Sequence, residues 1–455
     1  MSLSSHAGRA AAVPVPAIAA PEPAWRRHYT LLVLTFVYAM SLIDRQIMGV
    51  LIEPVKHEFH VSDSAMGLLS GLAFALFYST LAVPMGRLAD RCNRRNMVAL
   101  CCGAWSVMTG LCGLAGGYWQ LAAARVGVAI GEAGGTAPSL SMIADLYPPR
   151  QRSRAMSVFM LGPPLGTLVG LGLGAWIAQK YGWRMAFFWM TLPGVAAAVL
   201  LRWGGLEPLR GRWDSSAEAA SASAGAGESL ATVVRAMWAS PAFMRITVAG
   251  LLLGFAGYGI GIWSTAFLVR SHGLALKDAG ILIGLTSGVS AICGSLFSGW
   301  LCDRLSARDV RWQLGVPIAG LVLALPTGVA YLLYPAGQVW QLGPLTVPHA
   351  MVFNLLFSFF AVWWTAPSYA ALTALVASHR RTTVLALYSL GLTLVGGGLG
   401  PLTVGMLSDA LAPVYGAESL RWALLCVMAA FGLAAAAFAS ALQPYARSQA
   451  SQTRK

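Results

Sequence analysis

The sequence contains little charge. Asp, Glu, Lys and Arg together make up 11% of its 455 residues, whereas about a quarter of the residues of a typical soluble protein are charged. Hydrophobic residues make up 57% of the chain. A folded protein of this size could not cover its surface with so few polar groups. The composition excludes an ordinary soluble globular domain and indicates a protein solvated by lipid.

Several kinds of chemistry lack the residues they need. The chain has no G-x-x-x-x-G-K-[ST] stretch, which excludes an ATP site of the phosphate-loop type. Its seven histidines lie in predicted tails, loops or helix ends, so they cannot form a buried metal cluster or supply a buried base. Its seven cysteines are odd in number and none lies in a predicted outer loop, which argues against disulfides. We expect no enzymatic activity, no cofactor and no metal.

Long uncharged runs take up most of the chain. A run of about 20 apolar residues can cross a hydrocarbon core of about 30 Å as a helix, and these runs lack the alternation of a membrane β-barrel. The sequence predicts an all-α membrane protein with twelve transmembrane helices. They lie at about 29–52, 64–86, 95–116, 118–145, 154–179, 185–203, 243–269, 278–301, 312–334, 349–377, 384–407 and 419–443.

The basic residues are distributed unevenly between the loops. The net charge is +14, and assigning alternate loops to alternate sides places most arginines on one side, among them Arg87, Arg150, Arg210, Arg308 and Arg380. The positive-inside bias makes that side cytoplasmic, and twelve crossings then leave both termini there. Topology therefore accounts for the positive charge, and we expect no nucleic-acid partner.

The chain contains two copies of a six-helix unit. GRLADR at 86–91 returns as GWLCDR at 299–304, and TAPS at 136–139 returns at 365–368. The second interval is slightly longer than the first, largely because of the longer outer connection after predicted helix 9. The small, polar stretch at 213–229 is typical of a flexible linker. The predicted organisation is a disordered cytoplasmic tail at 1–28, a lobe at 29–203, a cytoplasmic linker at 204–240, a second lobe at 241–443 and a cytoplasmic tail at 444–455.

These motifs resemble the major facilitator superfamily. The resemblance is carried by G-x-L-A-D-R-x-x-R-R between predicted helices 2 and 3, by its weaker copy between helices 8 and 9, and by the six-plus-six layout. It implies two pseudo-symmetric bundles with a central site between them. It also implies that the repeated turns form a cytoplasmic latch, here made by Gly86, Asp90, Arg91, Asp303 and Arg304.

Four ionisable residues interrupt the apolar runs of the first lobe. Asp44 and Arg45 lie within predicted helix 1, and Arg125 and Glu132 lie two helical turns apart on one face of helix 4. Each costs at least a few kcal/mol in a bilayer unless it is paired or hydrated. Such residues often mark ion or substrate pathways. The alternative is two static ion pairs that join helices 1 and 4.

The same residues resemble the spinster branch of the superfamily, whose animal members transport lysophospholipids and sphingosine-phosphate-like lipids. Three stretches carry the resemblance: DR at 44–45, GEA at 131–133 and RQRSRAMSVF at 150–159. It implies that Asp44 and Glu132 couple transport to protons and that Arg45 binds a headgroup or balances charge, with Arg125 as a further member of the site. Other organic-anion carriers of the superfamily share an acid–arginine pair in these helices.

Aromatic residues occupy the corresponding region of the second lobe. Tyr258, Trp363 and Tyr369 lie on predicted helices 7 and 10 with no charge among them. If they face the charged lobe, they give a cavity with one polar and one aromatic wall, which suits an amphipathic substrate. The alternative is that they pack between helices or anchor the chain at the membrane interface.

The sequence therefore predicts a proton-coupled secondary transporter of a bacterial inner membrane that moves a lysolipid-like or organic anionic substrate by alternating access. Membrane lipids, the amphipathic substrate and protons are its expected partners, and we expect a monomer. A drug or metabolite carrier of the same superfamily is the alternative within transport. A passive lipid scramblase or channel is the alternative from another class.

Overall fold

The structure is a computed structural model that describes residues 23–213, 230–376 and 380–453. Within these ranges the chain is helical apart from turns and one short β-hairpin. Most of the predicted N-terminal tail and the centre of the predicted linker, 214–229, lie outside the described residues.

The first lobe is a series of helices joined by short turns. In chain order they are α1 (Ala24–Phe59), α2 (Asp63–Gly67), α3 (Ala73–Ala89), α4 (Arg94–Gly113), α5 (Tyr118–Glu132), α6 (Thr136–Leu146), α7 (Pro149–Phe159), α8 (Gly162–Tyr181) and α9 (Trp183–Gly204). The π-helical segment Leu68–Leu72 joins α2 to α3. Gly162, Gly166 and Gly170 of α8 lie against the backbone of α1, so these two helices pack at close range.

The second lobe follows the same plan. Its helices are α10 (Leu230–Ala239), α11 (Pro241–His272), α12 (Leu276–Ser306), α13 (Trp312–Leu333), α14 (Ala350–Ala361), α15 (Thr365–Ala374), α16 (Arg381–Gly391), α17 (Gly400–Tyr415) and α18 (Ser419–Thr453). The π-helical segment Leu392–Leu399 joins α16 to α17, and a 3-10 turn, Gly416–Glu418, joins α17 to α18. The connection from α13 to α14 is an antiparallel hairpin of β1 (Val339–Leu342) and β2 (Leu345–Pro348).

Much of this helical structure is suited to a bilayer. In the described ranges, ten helices or joined helices are long and apolar enough to cross a membrane by length and composition. The predicted span at 118–145 is divided into α5 and α6, and one of the ten, 383–450, includes the turn at Gly416–Glu418. Large apolar side chains such as Leu100 and Leu296 remain exposed, as expected for a surface in contact with lipid.

The ends of the predicted domains are more ordered than the sequence suggests. Residues 24–28, assigned to a disordered tail, form the start of α1, and residues 444–453 continue α18. Within the predicted linker, residues 205–213 run back over the first lobe, where Arg94 Nη2 donates a hydrogen bond of 2.8 Å to the Pro208 carbonyl. Helix α10 lies in the same linker. The residues after Pro444 are mostly Ala, Gln, Ser and Arg, which are compatible with a helix.

The two lobes share a turn at equivalent positions. His60 caps α1 and Gly273 caps α11, both in the left-handed region with φ of 50° and 65°. The interval from His60 to Gly273 equals the interval from Gly86 to Gly299, the first residues of the two basic turns. The duplication inferred from sequence motifs therefore has a counterpart in the backbone.

A second shared irregularity explains why the TAPS stretch is repeated. Helix α5 ends at Glu132 and α14 ends at Ala361, and after a short break the next helix begins with the threonine of each TAPS. Pro138 and Pro367 occupy the third position of the new helix, where a missing N–H costs no helical hydrogen bond. One continuous helix was predicted in each place, and the continuity is wrong in both because a proline supplies no N–H for a helix running through it. Gly134 and Gly135 add to the first break, while the second still forms one candidate span, Ala350–Ala374.

The lobes approach closely at one end of the molecule. A Cβ added to Gly280 of α12 would lie 2.5 Å from the Leu171 carbonyl oxygen of α8. At the opposite end, a Cβ on Gly86 or Gly299, in the two basic turns, would meet nothing within 4 Å. We call these the closed end and the open end. The structure is thus one conformation of a two-lobed molecule, closed at one end.

Gly280→Val should weaken the closed end, because its side chain cannot fit against Leu171 unless the helices separate. Gly288→Val, on the same helix, is the matched control, since a Cβ there meets nothing within 4 Å. The probe is a cysteine at Val404, which is fully buried, in a chain whose native cysteines are replaced. Overpacking costs about 1–3 kcal/mol, so we expect thiol labelling to be about fivefold faster or more with Gly280→Val. Equal rates in the two variants would contradict this role of Gly280.

Candidate functional site

The structure brings the four predicted interior charges together. Asp44 and Arg45 are adjacent on α1, and Arg125 and Glu132 lie on α5. Arg45 Nε is 2.7 Å from Glu132 Oε2, and the Glu132 side chain is fully buried while that of Arg45 is 27% exposed. The pair therefore has one member enclosed by the lobe and one that reaches open space.

Asp44 and Arg125 are arranged differently from a second ion pair. Arg125 Nη1 donates a hydrogen bond of 3.0 Å to the backbone carbonyl of Asp44. The Asp44 carboxyl group lies beside Thr109 of α4 and interacts electrostatically with Arg125 and with Glu132. Both residues are buried. In the part of the chain that the structure describes, Glu132 forms a direct ion pair and the Asp44 carboxylate does not, so this geometry is not that of two static ion pairs.

Aromatic rings hold the two guanidinium groups in place. The Arg45 guanidinium lies 4.5 Å from the centre of the Tyr78 ring and 5.0 Å from that of Phe74. The Arg125 guanidinium lies 5.3 Å from the same Phe74 ring. Cation–π contacts of this kind strengthen where water is excluded. These contacts offset part of the cost of burying each guanidinium charge, and this contribution does not depend on a carboxylate.

The cluster has unused hydrogen-bonding capacity. Glu132 Oε1, Arg125 Nε and Trp105 Nε1 are buried and have no hydrogen-bond partner in the described part of the chain. A cavity of about 10 Å³ lies beside Glu132 and is lined also by Trp105, Ser41 and Ser139. That volume admits about one water molecule. A purely structural ion pair normally has its buried atoms satisfied, so this arrangement is suited to an exchange of partners.

Tyr258 of the second lobe faces this cluster. It lies midway along α11, is 51% exposed and interacts electrostatically with Arg45 and Tyr369. The interval from Arg45 to Tyr258 also equals the interval between the two basic turns, so the two residues are equivalent in the duplicated unit. Two partly exposed side chains, one from each copy, thus lie near each other where the lobes meet.

The other two predicted aromatic residues are less open. The Tyr369 ring packs edge-on against Tyr388, with centroids 5.3 Å apart. Trp363 is 6% exposed and packs against Phe297 and Phe359. It lies at the break between α14 and α15, which turns its ring into its own lobe. In this conformation Trp363 does not border the space reached by Arg45 and Tyr258.

The predicted latch residues lie at the open end. Asp90, Arg91, Asp303 and Arg304 are exposed, and Gly86 has open space around its Cα. Among the described residues, Asp90 and Arg91 make no side-chain hydrogen bond or ion pair with the opposite lobe, while the Arg304 guanidinium lies 5.6 Å from the Trp300 ring of its own helix. This conformation does not engage a latch at that end.

A charged cluster at the closed end joins the lobes instead. Arg270 of α11 forms a two-pronged pair with Asp63 of α2, with Nη1–Oδ2 and Nη2–Oδ1 distances of 2.7 Å. Its Nε lies 2.6 Å from Glu53 Oε1 of α1. Lys56 Nζ adds a contact of 2.6 Å to Asp63 Oδ1. Arginine and carboxylate planes match in this geometry, which makes such pairs strong.

A second contact across the same boundary is a helix cap. The Asp409 carboxylate of α17 accepts hydrogen bonds from the backbone N–H groups of Asp63 and Ser64, at 3.0 and 2.7 Å, and from the Ser64 hydroxyl. Ser408 Oγ donates a bond of 2.7 Å to Asp63 Oδ2. One lobe thus caps the first turn of a helix in the other. We call Glu53, Asp63, Arg270, Ser408 and Asp409 the closed-end gate.

Sequence reasoning missed this gate. Arg270 and Lys56 appear in the sequence as isolated loop charges, and Asp409 as an acidic residue near a helix end. One feature of the sequence could have indicated the gate: charges of opposite sign lie near helix ends in both halves of the chain. Their pairing joins distant parts of the sequence and depends on how the lobes dock, which a single sequence does not specify.

Comparison with known proteins agrees with this architecture. The sequence profile of the Major Facilitator Superfamily matches residues 34–401. The chain belongs to this superfamily. An MFS-type efflux pump of Mycolicibacterium smegmatis is 34% identical over 406 residues, which cover 89% of this chain and 90% of that protein. The Danio rerio sphingosine-1-phosphate transporter SPNS2 is 28% identical, with 86% of this chain and 78% of that protein covered.

Solved structures of transporters are also similar to this major facilitator protein. A bacterial homologue of the human lysosomal transporter Spinster, in an inward-facing and unoccupied conformation, has a TM-score of 0.82 at 28% identity, covering 94% of this chain and 99% of that one. The occupied form of that homologue has a TM-score of 0.79 at 27% identity. The predicted resemblance to the superfamily and to its spinster branch is confirmed.

Arg270→Gln should destabilise the closed end of this facilitator, because it leaves Asp63 and Glu53 without their main counter-charge. Hydrogen bonds to charged groups contribute about 1.5–3 kcal/mol, so we expect labelling of a cysteine at Val404 to rise about tenfold or more. Arg270→Lys should give a smaller rise, because it keeps the charge but loses the planar fork.

Lys277→Gln is the matched control for this experiment. It removes one positive charge from the same end of the same lobe, and among the described residues no acidic side chain pairs with Lys277. We expect its labelling rate to equal that of the parent. If Arg270→Gln labels at the same rate as Lys277→Gln, the gate does not hold the lobes together.

Proposed function

We propose that this protein is a proton-coupled secondary transporter that moves amphipathic anions, lysolipid-like or other organic anions, by alternating access. The supporting observation is the Arg45–Glu132 pair at the border of the space between the lobes. Arg45 is the partly exposed member of the pair and faces Tyr258 of the opposite lobe. A phosphate or carboxylate arriving there competes with Glu132 for the same guanidinium.

Protonation of Glu132 decides that competition. A neutral carboxylic acid no longer attracts Arg45 strongly, so the guanidinium becomes available to the substrate. The vacated charge on Arg45 is then balanced by the substrate anion, and the lobe avoids an uncompensated charge in the membrane. Asp44 interacts with both Arg125 and Glu132, so a proton on either acid changes the charge of the whole group. The proton and the anion thereby become thermodynamically linked.

Tyr258 and Tyr369 complete the proposed binding site. Their rings supply apolar surface for the hydrocarbon part of the substrate, and their hydroxyl groups supply polar contacts near the headgroup. The relatives named for Spinster and for sphingosine-1-phosphate transport favour a substrate of this amphipathic type. Trp363 joins the site only in a conformation where its packing against Phe297 is released.

The membrane arrangement is part of the same proposal. Counting α5 with α6 as one crossing, and separating α17 from α18 at the turn Gly416–Glu418, gives twelve crossings in two bundles. In this proposal the basic turns and both termini lie on the cytoplasmic side of a bacterial inner membrane, and the open end faces the cytoplasm. The protein works as a monomer and uses the proton gradient as its energy source, with no cofactor.

Two alternating latches would switch access in this scheme. The Asp409 cap on α2 holds the lobes together at the closed end, away from the cytoplasm. Asp90 with Arg91 takes the equivalent role when the cytoplasmic end closes. Asp303 and Arg304 contribute the weaker copy in the second lobe. Each latch uses a carboxylate against the N-terminal part of an approaching helix, a contact favoured by the helix dipole.

A drug or metabolite carrier is the second candidate within transport. The relative named as an MFS-type efflux pump supports it, since it is 34% identical over most of both chains. The exposed charge of the site is a guanidinium, which favours anions over cationic compounds. A substrate screen with matched anionic and cationic amphiphiles distinguishes the two candidates.

Asp44→Asn combined with Glu132→Gln should remove the effect of a pH gradient on transport. The experiment uses purified protein in liposomes, an imposed pH gradient, and uptake of lysophospholipids and organic anions. We expect the parent to accumulate substrate against its gradient and the double variant to lose that accumulation. Glu58→Gln, at the end of the same α1, is the control, because its carboxylate pairs with Arg184 outside the site.

Two outcomes would overturn the proposal in different ways. If the double variant still responds to the pH gradient, Asp44 and Glu132 do not couple protons. If the parent only equilibrates substrate and never accumulates it, the protein is a passive scramblase or channel.

Anion binding should also tighten as the pH falls. Protonated Glu132 releases Arg45, so affinity for an anion rises by up to about tenfold per pH unit in the range where one proton is taken up with the substrate. Glu132→Gln should flatten this dependence and keep binding at its low-pH level, while Arg45→Gln should abolish binding. Isothermal titration in detergent checks both. An unchanged pH dependence in Glu132→Gln would contradict the competition for Arg45.

A further inference from the structure

A basic cavity lies in the second lobe, apart from the transport site. It has a volume of about 660 Å³ and opens at the end where α11 and α13 begin and α18 finishes. Three arginines from three different segments line it: Arg245, Arg311 and Arg447. Its size is in the usual range for ligand sites. None of its residues takes part in the proton-coupling cluster or in the closed-end gate.

The wall of this cavity is shaped by a proline. Pro444 lies within α18 and has no N–H, so the carbonyl of Ser440, one turn earlier, lacks its helical partner. Arg245 Nη1 fills that position with a hydrogen bond of 2.5 Å to the Ser440 carbonyl. One edge of the guanidinium is thereby fixed to the wall. Across the described ranges, the other N–H groups of Arg245 have no recorded partner.

The three arginines lack an acidic partner among the described residues. In the described part of the chain, no acidic side chain forms an ion pair with Arg245, Arg311 or Arg447. The nearest acid in sequence, Asp309, uses its Oδ1 to accept a hydrogen bond of 2.8 Å from the backbone N–H of Arg311. Like charges that share a cavity repel each other, and a bound anion would relieve that repulsion.

The surroundings indicate a lipid more than a soluble anion. The cavity lies at the ends of membrane-crossing helices, and Ala439 and Leu442 line it beside the arginines. Trp312, at the start of α13, is 42% exposed, as is typical of residues at the level of lipid headgroups. Leu433, nearly two turns before Ser440 on α18, is 61% exposed. A charged recess thus continues into an apolar surface.

We propose that this cavity binds the headgroup of an anionic phospholipid, with its phosphate held by Arg245, Arg311 and Arg447 and its acyl chains along the outside of α13 and α18. Guanidinium groups bind phosphate oxygens through paired hydrogen bonds. A lipid bound there links the start of α11 to the end of α18. It is a second binding site, which the transported substrate does not need to occupy.

The experiment compares lipid retention by purified protein in detergent. Native mass spectrometry follows binding of phosphatidylglycerol, phosphatidylcholine and soluble glycerol phosphate to three proteins: the parent, Arg245→Gln/Arg311→Gln/Arg447→Gln, and a control triple variant. The control, Arg150→Gln/Arg154→Gln/Arg202→Gln, removes the same charge from exposed arginines of the first lobe. A basic residue near a membrane surface contributes about fivefold in affinity.

We expect the parent and the control to retain phosphatidylglycerol and the cavity variant to retain at least about tenfold less. Phosphatidylcholine should bind the parent weakly, because its headgroup carries no net charge. Glycerol phosphate tests the source of the ligand: if it binds the parent as tightly as phosphatidylglycerol, the site takes a free phosphate and the lipid proposal is wrong. Equal losses in the cavity and control variants, or no loss in either, would also overturn it.

A charge-conserving variant tests whether a loss of bound lipid results from misfolding. Arg245→Lys/Arg311→Lys/Arg447→Lys keeps three cations but loses the paired hydrogen bonds. We expect it to elute as the parent does and to retain phosphatidylglycerol at a level between those of the parent and the glutamine variant. If it retains as much as the parent while the glutamine variant is unfolded, the arginine geometry is not what holds the lipid.

Discussion

The ion pair between Arg45 and Glu132 is the contact on which the proposed mechanism depends. It buries one carboxylate and leaves one guanidinium partly exposed, so a ligand can reach the guanidinium while the carboxylate stays enclosed. Breaking a buried pair usually leaves an uncompensated charge and costs several kcal/mol. A proton on Glu132 neutralises the carboxylate, and a bound anion balances the charge of Arg45, so neither residue is left with an uncompensated charge. That is a physical reason for protons and substrate to act in concert.

The closed-end gate places a second requirement on the molecule. Its contacts must hold the lobes together in one state and release them in another, so they cannot be too strong. Hydrogen-bonded polar and charged groups meet this requirement even where they are largely buried, because water replaces their partners when the boundary opens. A large apolar contact would be harder to reverse. The glycines beside the gate, such as Gly280, bring the backbones of the two lobes close together.

The sequence was sufficient to predict the fold and the four charged residues of the interior cluster. Low charge and long apolar runs predict membrane helices, and Asp44 and Glu132 stand out because carboxylates are rare in such runs. Helix breaks were less predictable, since membrane helices also tolerate proline in their interior, so Pro138 and Pro367 did not by themselves require a break. The pairing of Arg45 with Glu132, rather than with its neighbour Asp44, depends on how α1 packs beside α5. The gate depends on the docking of two lobes, and a single sequence does not determine it.

The duplication helps to explain why the site has two different walls. Arg45 and Tyr258 occupy equivalent positions in the two lobes, separated by the same interval as the caps His60 and Gly273. One copy has a charge there and the other an aromatic hydroxyl. Applied to Arg125 and Glu132, the interval between the TAPS stretches gives Asn354 and Ala361. The second copy is therefore neutral at each of these positions. A ligand that touches both walls therefore links the titrating groups of the first lobe to the neutral wall of the second, and an amphipathic anion does so with its two ends.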